Sequence, residues 1–255
     1  MVAKHGAGTN DIDVAAAAAL GIPVLAAVGA NAHSVAEHAL TLMLALAKDL
    51  RTQDAFVRGG GWEKKAYRGH ELRGRTLGIV GIGAIGSVVA RLAVPFGMKT
   101  IAYDPYVSDT VFGSHLERVA SLDALLSRAD IVSLHCPLTN ATRNLLDERR
   151  FGLMKPSSFV VNTARGALID EAALCAALLE GKIAGAALDS FAVEPPAKDS
   201  PLWAMPNLIT TPHIAGVTAG SAKAMAEIAA RHVIAVLDGE APDEGSLARL
   251  TELAA

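Results

Sequence analysis

Residues 77–104, LGIVGIGAIGSVVARLAVPFGMKTIAYD, constrain the fold more than any other stretch of the chain. Leu77-Gly78-Ile79-Val80 is an apolar, strand-like run that enters Gly81-Ile82-Gly83-Ala84-Ile85-Gly86, a G-x-G-x-x-G. Val88, Val89, Leu92 and Ala93 then give a helix one apolar side, and Thr100-Ile101-Ala102-Tyr103 is a second strand ending on Asp104. In this setting each glycine has a physical task. Gly81 allows the tight turn, Gly83 lets a pyrophosphate approach the backbone, and Gly86 lets the helix pack close to the sheet. The helix start offers unpaired N–H groups and a partial positive charge to the phosphates. Asp104 is placed to accept from a ribose 2′-OH and would repel a 2′-phosphate, so NAD is expected rather than NADP. Pro95 removes a helical hydrogen bond, which predicts a kink or a tightened last turn stopped by Gly97.

The remainder alternates strands and helices with short links, which implies a parallel, doubly wound α/β sheet. Expected strands are Met1–Lys4, Ile22–Leu25, Ile131–Leu134, Ser158–Thr163, Ala184–Leu188 and Asn207–Thr211. Expected helices are Val14–Leu20, Ser34–Leu50, Ser121–Arg128, Leu146–Met154, Asp170–Gly181 and Val217–Leu237. Ser34, with Glu37 three residues on, reads as a capping box. Residues 51–75 are polar and glycine-rich and read as an extended connection that can wrap a partner subunit.

With 255 residues, 51% of them hydrophobic, the chain can bury a sizeable core. A net charge of −3 with no basic run argues against a nucleic-acid or membrane surface. Cys136 and Cys175 lie far apart without metal spacing and read as reduced thiols of a cytoplasmic protein, with no metal expected. The alanine-rich run Val14–Ala30 follows Asp11 and Asp13 and is broken by Gly21 and Pro23, so it reads as helix, turn and strand rather than as an export signal.

Ligands of open α/β sheets bind beyond the carboxyl ends of the strands. Four polar residues stand at or just after such ends: Arg165, Asp189, Glu194 and His213. Together they suit carbonyl reduction. A guanidinium can grip a carboxylate through two hydrogen bonds, a histidine can supply a proton near neutral pH, and a carboxylate beside it fixes its tautomer.

At these residues the chain resembles the D-isomer-specific 2-hydroxyacid dehydrogenases. The resemblance runs through HGAGTNDID (5–13), GANAHSVAEHAL (29–40), the glycine-rich stretch and SLHCPLTNATRNLL (133–146). It continues through VNTARGALIDEAAL (161–174), GAALDSFAVEPP (185–196) and NLITTPHIAGVT (207–218). It implies Arg165, Glu194 and His213 as the catalytic set: Arg165 on the 2-oxo acid, His213 as acid in reduction and base in oxidation, Glu194 orienting His213.

The same resemblance implies an NAD site at Gly81, Gly83, Ala84, Ile85, Gly86 and Asp104. Cys136, Pro137 and Thr142 would line the groove. Thr163, Ala164, Arg165, Asp189, His213, Ala215 and Gly216 would surround the nicotinamide. Gly6, Ala7 and Gly8, with Arg165 and His213, would bind substrate. Ser190 stands where the family has an apolar residue.

The division expected is a remnant of a flavodoxin-like substrate domain at 1–33, a Rossmann domain at 34–216 and a C-terminal helix at 217–255 returning to the remnant. Relatives carry more of the substrate domain before the HGAG stretch. The expected function is NAD-dependent interconversion of a D-2-hydroxy acid and its 2-oxo acid, in a homodimer formed through the nucleotide-binding domain. Relatives such as phosphoglycerate, hydroxypyruvate and glyoxylate reductases are the nearest in pattern. An NAD(H)-binding module without catalysis is the alternative.

Overall fold

The structure, a computed structural model, describes residues 1–9, 11–113 and 115–248. Residues 249–255 of the expected C-terminal segment lie outside the described residues. Val2–Lys4 (β1) and Val24–Ala26 (β2) pair in parallel across the helix Val14–Ala19 (α1). Asp13 caps α1 by accepting from the Ala16 N–H at 2.8 Å. The far side of β2 is lined by residues 246–248. Ala26 N–H donates to the Ser246 carbonyl and Ala248 N–H to the Val24 carbonyl, both at 2.9 Å. Strand β2 therefore lies one to two residues later than the sequence predicts. Among the described residues no helix is long and apolar enough to cross a membrane.

The next helix, α2, spans Ala32–Ala47. The expected capping box is not formed: the N-cap is Asn31, and Ser34 lies inside the first turn, where its hydroxyl meets Thr218 Oγ1 at 2.9 Å. A partner across the fold outcompetes the local cap. The helix also stops three residues early, because Asp49 adopts a left-handed backbone at φ 47°, a conformation Asp tolerates better than most residues. A separate helix, Leu50–Arg58 (α3), follows where an extended connection is expected. It buries no residue, leaving Leu50, Phe56 and Val57 exposed, and Gln53–Asp49 and Arg58–Asp54 contacts at i, i+4 support it.

Seven parallel strands form the main sheet. In chain order they and their helices are β3 (Thr76–Val80), α4 (Ala84–Ala93), β4 (Lys99–Tyr103), β5 (Glu117–Arg118), α5 (Leu122–Arg128) and β6 (Ile131–Leu134). The short α6 (Glu148–Phe151), β7 (Phe159–Asn162), α7 (Glu171–Leu179), β8 (Gly185–Leu188), β9 (Leu208–Thr210) and α8 (Ala219–Leu237) complete the order. Spatially the strands run β5-β4-β3-β6-β7-β8-β9. The direction of winding reverses between β3 and β6, the switch point where such sheets bind ligands. The two-residue edge strand β5 is polar and gave no strand signal.

Every residue of β6, β7 and β8 is buried, as expected of a sheet covered on both faces. Leu77, Ile79, Ile131, Phe159, Val161 and Ala187 face α2 and α4. Val80, Val132, Leu134, Val160, Ala186 and Leu188 face α5, α6 and α7. Pro95 falls in a 3-10 turn, Val94–Phe96, ended by Gly97 at φ 70°. The tightened turn predicted from Pro95 is what forms. Ser121 caps α5 and Asp170 caps α7.

Candidate active site

The glycine loop between β3 and α4 is shaped by close packing. Gly81 has φ 92°, and a Cβ there would lie 2.7 Å from the Cys136 nitrogen on the neighbouring strand end. A Cβ on Gly86 would lie 2.1 Å from the Gly81 carbonyl oxygen. Gly83 differs: among the described residues nothing lies within 4 Å of its Cβ position. It is the N-cap of α4, and no side chain caps that helix. The loop therefore leaves a helix start open, beside a position where a side chain is missing although the protein itself has room for one. These features fit a pyrophosphate seated on Gly83, Ala84 and Ile85.

Asp104 directly follows β4, beside this loop. One carboxylate oxygen accepts from the Ile82 N–H and the other from the Tyr106 N–H, each at 2.9 Å. These bonds fix the carboxylate at the mouth of the groove and leave it lone pairs for a ribose. Across the groove, Cys136 follows β6; burial pushes its thiol up to about 12, and the Asp104 charge adds to this. It is an inert wall rather than a nucleophile. Thr142 Oγ1 donates to the Pro137 carbonyl at 2.7 Å and accepts from the Thr139 N–H at 2.7 Å, closing the 137–142 turn.

The strand ends bring the second group together. His213 Nδ1 lies 2.7 Å from Glu194 Oε2. The other Glu194 oxygen accepts from the Phe191 N–H at 2.9 Å. Burial works against the Glu194 charge. The His213 hydrogen bond, the Phe191 N–H and the positive charges of His213 and Arg165 outweigh it and hold the carboxyl below its ordinary value. Arg165 thus acts on the same pair from the end of β7. Its backbone is set by Asn162, fully buried, which donates to the Arg165 carbonyl at 2.8 Å and accepts from the Ala164 N–H at 3.0 Å.

Asp189 is fully buried. Its Oδ1 accepts from the Thr211 hydroxyl at 2.6 Å and the Ile214 N–H at 2.9 Å, and its Oδ2 from the Ala215 N–H at 2.8 Å. It therefore braces the loop that presents His213, whose backbone is left-handed at φ 55°. Thr163 Oγ1 and Ser190 Oγ are buried with no hydrogen-bond partner among the described residues. An unmet hydroxyl at Thr163, expected beside the nicotinamide, is what a cofactor-facing group looks like without its ligand. Gly216 packs against Asn31, whose Nδ2 would lie 2.7 Å from a Cβ there. The Gly6–Gly8 loop has its own anchors: the Gly6 carbonyl accepts from the Ala27 N–H at 2.8 Å, and His5 Nε2 meets the Ala222 carbonyl at 3.1 Å.

Sequence reasoning found the titratable residues but not their supports. Asn162 was hidden in an apolar strand, and Thr211 and His38 had no motif role of their own. A polar residue inside an otherwise apolar strand, as at Asn162, was the one available signal.

Known proteins resemble this chain in sequence and in fold. Residues 40–215 match the family described as D-isomer specific 2-hydroxyacid dehydrogenase, NAD binding domain. The chain is 44% identical over 241 residues to a D-3-phosphoglycerate dehydrogenase of Methanocaldococcus jannaschii, covering 94% of this chain and 46% of that protein. It is 45% identical over 221 residues to a hydroxypyruvate reductase of Thermotoga maritima, covering 86% of this chain and 71% of the relative. The TT0316 protein of Thermus thermophilus superposes with a TM-score of 0.87 at 37% identity, over 96% of this chain and 77% of its own. The chain spans about half the length of the phosphoglycerate dehydrogenases it matches. On sequence and fold, the chain belongs to the D-isomer specific 2-hydroxyacid dehydrogenase family and contains that family's NAD-binding domain.

Proposed function

We propose that the chain interconverts a D-2-hydroxy acid and its 2-oxo acid with NAD. The observation that carries this is the 2.7 Å His213–Glu194 contact, charged further by Arg165, at the same sheet edge as the glycine loop. Glu194 accepts at Nδ1, so the Nδ1 proton stays in place and Nε2 is the nitrogen that exchanges a proton with substrate oxygen. A nearby carboxylate stabilises the imidazolium formed when the alcohol loses its proton. Arg165 would bind the substrate carboxylate through two N–H donors, and the Gly6–Gly8 loop would meet the same group with backbone N–H. Bound nicotinamide supplies or takes up the hydride. Asp104 favours the cofactor without a 2′-phosphate.

The same reading takes residues 1–33 as part of a substrate-binding unit and 34–216 as the cofactor domain, with α8 returning to the first. A cytoplasmic homodimer completes it. Leu50, Phe56, Val57 and Trp62, all exposed on or just after α3, support pairing through the nucleotide-binding domain.

The test is to follow NADH absorbance with hydroxypyruvate, glyoxylate and pyruvate. Turnover that His213→Ala lowers at least a thousandfold is expected. Tight NADH binding without turnover on any 2-oxo acid would replace the enzyme by a cofactor-binding module.

A further inference from the structure

Helix α2 carries three polar residues on one side, Asn31 at its N-cap, Ser34 and His38, in the motif GANAHSVAEHAL. The reaction proposed above gives them no task. All three reach the same segment, 211–218, which carries His213. Asn31 packs against Gly216, Ser34 Oγ lies 2.9 Å from Thr218 Oγ1, and His38 Nε2 lies 3.1 Å from Thr211 Oγ1. Residues three and four apart share a helix face, so α2 lies along the loop as a splint.

The His38 contact has a fixed direction. Thr211 has one hydroxyl proton, and that proton goes to Asp189 Oδ1 at 2.6 Å. The Thr211 oxygen can only accept from His38, so His38 carries its proton on Nε2 and donates it. His38 Nε2 also lies 3.7 Å from Asp189 Oδ1. A chain of donors therefore runs from α2 through Thr211 to the buried Asp189 carboxylate. Asp189 in turn accepts from the Ile214 and Ala215 N–H groups, the two residues directly after His213. The left-handed backbone of His213 is unfavourable for a residue with a Cβ and persists only when its surroundings hold it.

We infer that His38 is a positioning residue for the proposed reaction: through Thr211 it locks the Asp189 carboxylate, and through Asp189 it holds the loop that aims His213. This rests on the reading of His213 as the proton-transferring residue. It assigns His38 no contact with substrate or cofactor.

The inference is tested with the full chain carrying His38→Leu, which removes the donor, and His38→Gln, which keeps an N–H at similar reach. Thr211→Val and Thr211→Ser make the same contrast one step along. Amide hydrogen exchange at Ile214 and Ala215 reads the lock without any turnover. His38→Leu and Thr211→Val are expected to speed exchange at those two amides at least tenfold, leaving β7 amides unchanged. His38→Gln and Thr211→Ser are expected to restore most of the protection. In turnover, His38→Leu should lower kcat about tenfold with KM for NADH within twofold, and combining it with Thr211→Val should cost no more than either alone.

Unchanged exchange at Ile214 and Ala215 in both donor-less variants overturns the inference. So does equal behaviour of His38→Leu and His38→Gln, which would reduce His38 to a packing residue. Should His38→Leu fail to fold, Thr211→Val against Thr211→Ser decides the same question. A wild-type chain with no turnover refutes the proposed activity alone, and the exchange pattern then decides whether His38 holds the loop.

Discussion

Glycines 83 and 86 belong to one motif, yet the structure predicts opposite consequences for adding a methyl group to them. In Gly86→Ala the new Cβ would sit 2.1 Å from the Gly81 carbonyl oxygen. A carbon and a carbonyl oxygen need about 3.3 Å, so α4 would have to move by about 1 Å against α2 and the sheet. Overpacking of that kind costs about 1–3 kcal/mol or more. In Gly83→Ala the Cβ meets no protein atom within 4 Å, and the backbone at φ −83°, ψ −157° is open to any L-residue. Alanine is the poorer N-cap, but it also reduces the entropy of the unfolded chain, so the net change should stay within about 0.5 kcal/mol. The empty volume at Gly83 is the one proposed for the pyrophosphate. A methyl there should weaken NADH at least about tenfold, or about 1.4 kcal/mol. Urea unfolding without cofactor gives the first quantity and NADH fluorescence titration the second. The reasoning fails if Gly83→Ala binds NADH like wild type, or if it loses as much stability as Gly86→Ala.

Two further outcomes follow from buried groups. Burial lowers His135 to about 4, whereas an unfolded histidine titrates near 6.5. The unfolded chain then binds the extra proton first, so stability is complete above about pH 6.5 and declines toward pH 4, by about 3 kcal/mol at most. Urea midpoints at pH 7.5, 5.5 and 4.5 should fall in that order, and His135→Phe should flatten the fall; a pH-independent midpoint would refute it. Ser190 Oγ is buried without a partner, so Ser190→Ala should raise stability by about 1 kcal/mol in the same assay; a loss would mean the hydroxyl is satisfied.

Much of this fold was legible because its signals are local. The glycine loop, the Pro95–Gly97 stop and the buried strands each depend on a few neighbouring residues. What escaped depends on distant partners. Ser34 carries every local mark of an N-cap, yet its hydroxyl is used by Thr218, 184 residues away. Helix α3 spans only nine residues, is polar on average and buries nothing, so its short apolar side did not stand out from a polar connection. At the site, the charged residues stood out at strand ends, but their aim is set by Asn162, Thr211 and Asp189 through hydrogen bonds that no spacing rule contains. Asp189 is the clearest case: its position marked it as a ligand-facing group, and its full burial shows that it also holds a loop together.

The small layer of β1, β2 and residues 246–248 has a consequence for the order in which the molecule assembles. Beyond the local β1–β2 pair, its attachments are Leu25 with Leu247 and, toward α8, His5 with Ala222, 217 residues apart. Each needs almost the whole chain to be looped before any contact forms, whereas the strand–helix–strand units of the main sheet close over short spans. Loop-closure entropy therefore delays the docking of the layer until the main sheet supplies α8 as a fixed support. Substitutions in it should accelerate unfolding far more than they slow folding, and the Gly6–Gly8 loop, seated on that layer, would be the last part of the candidate site to take shape.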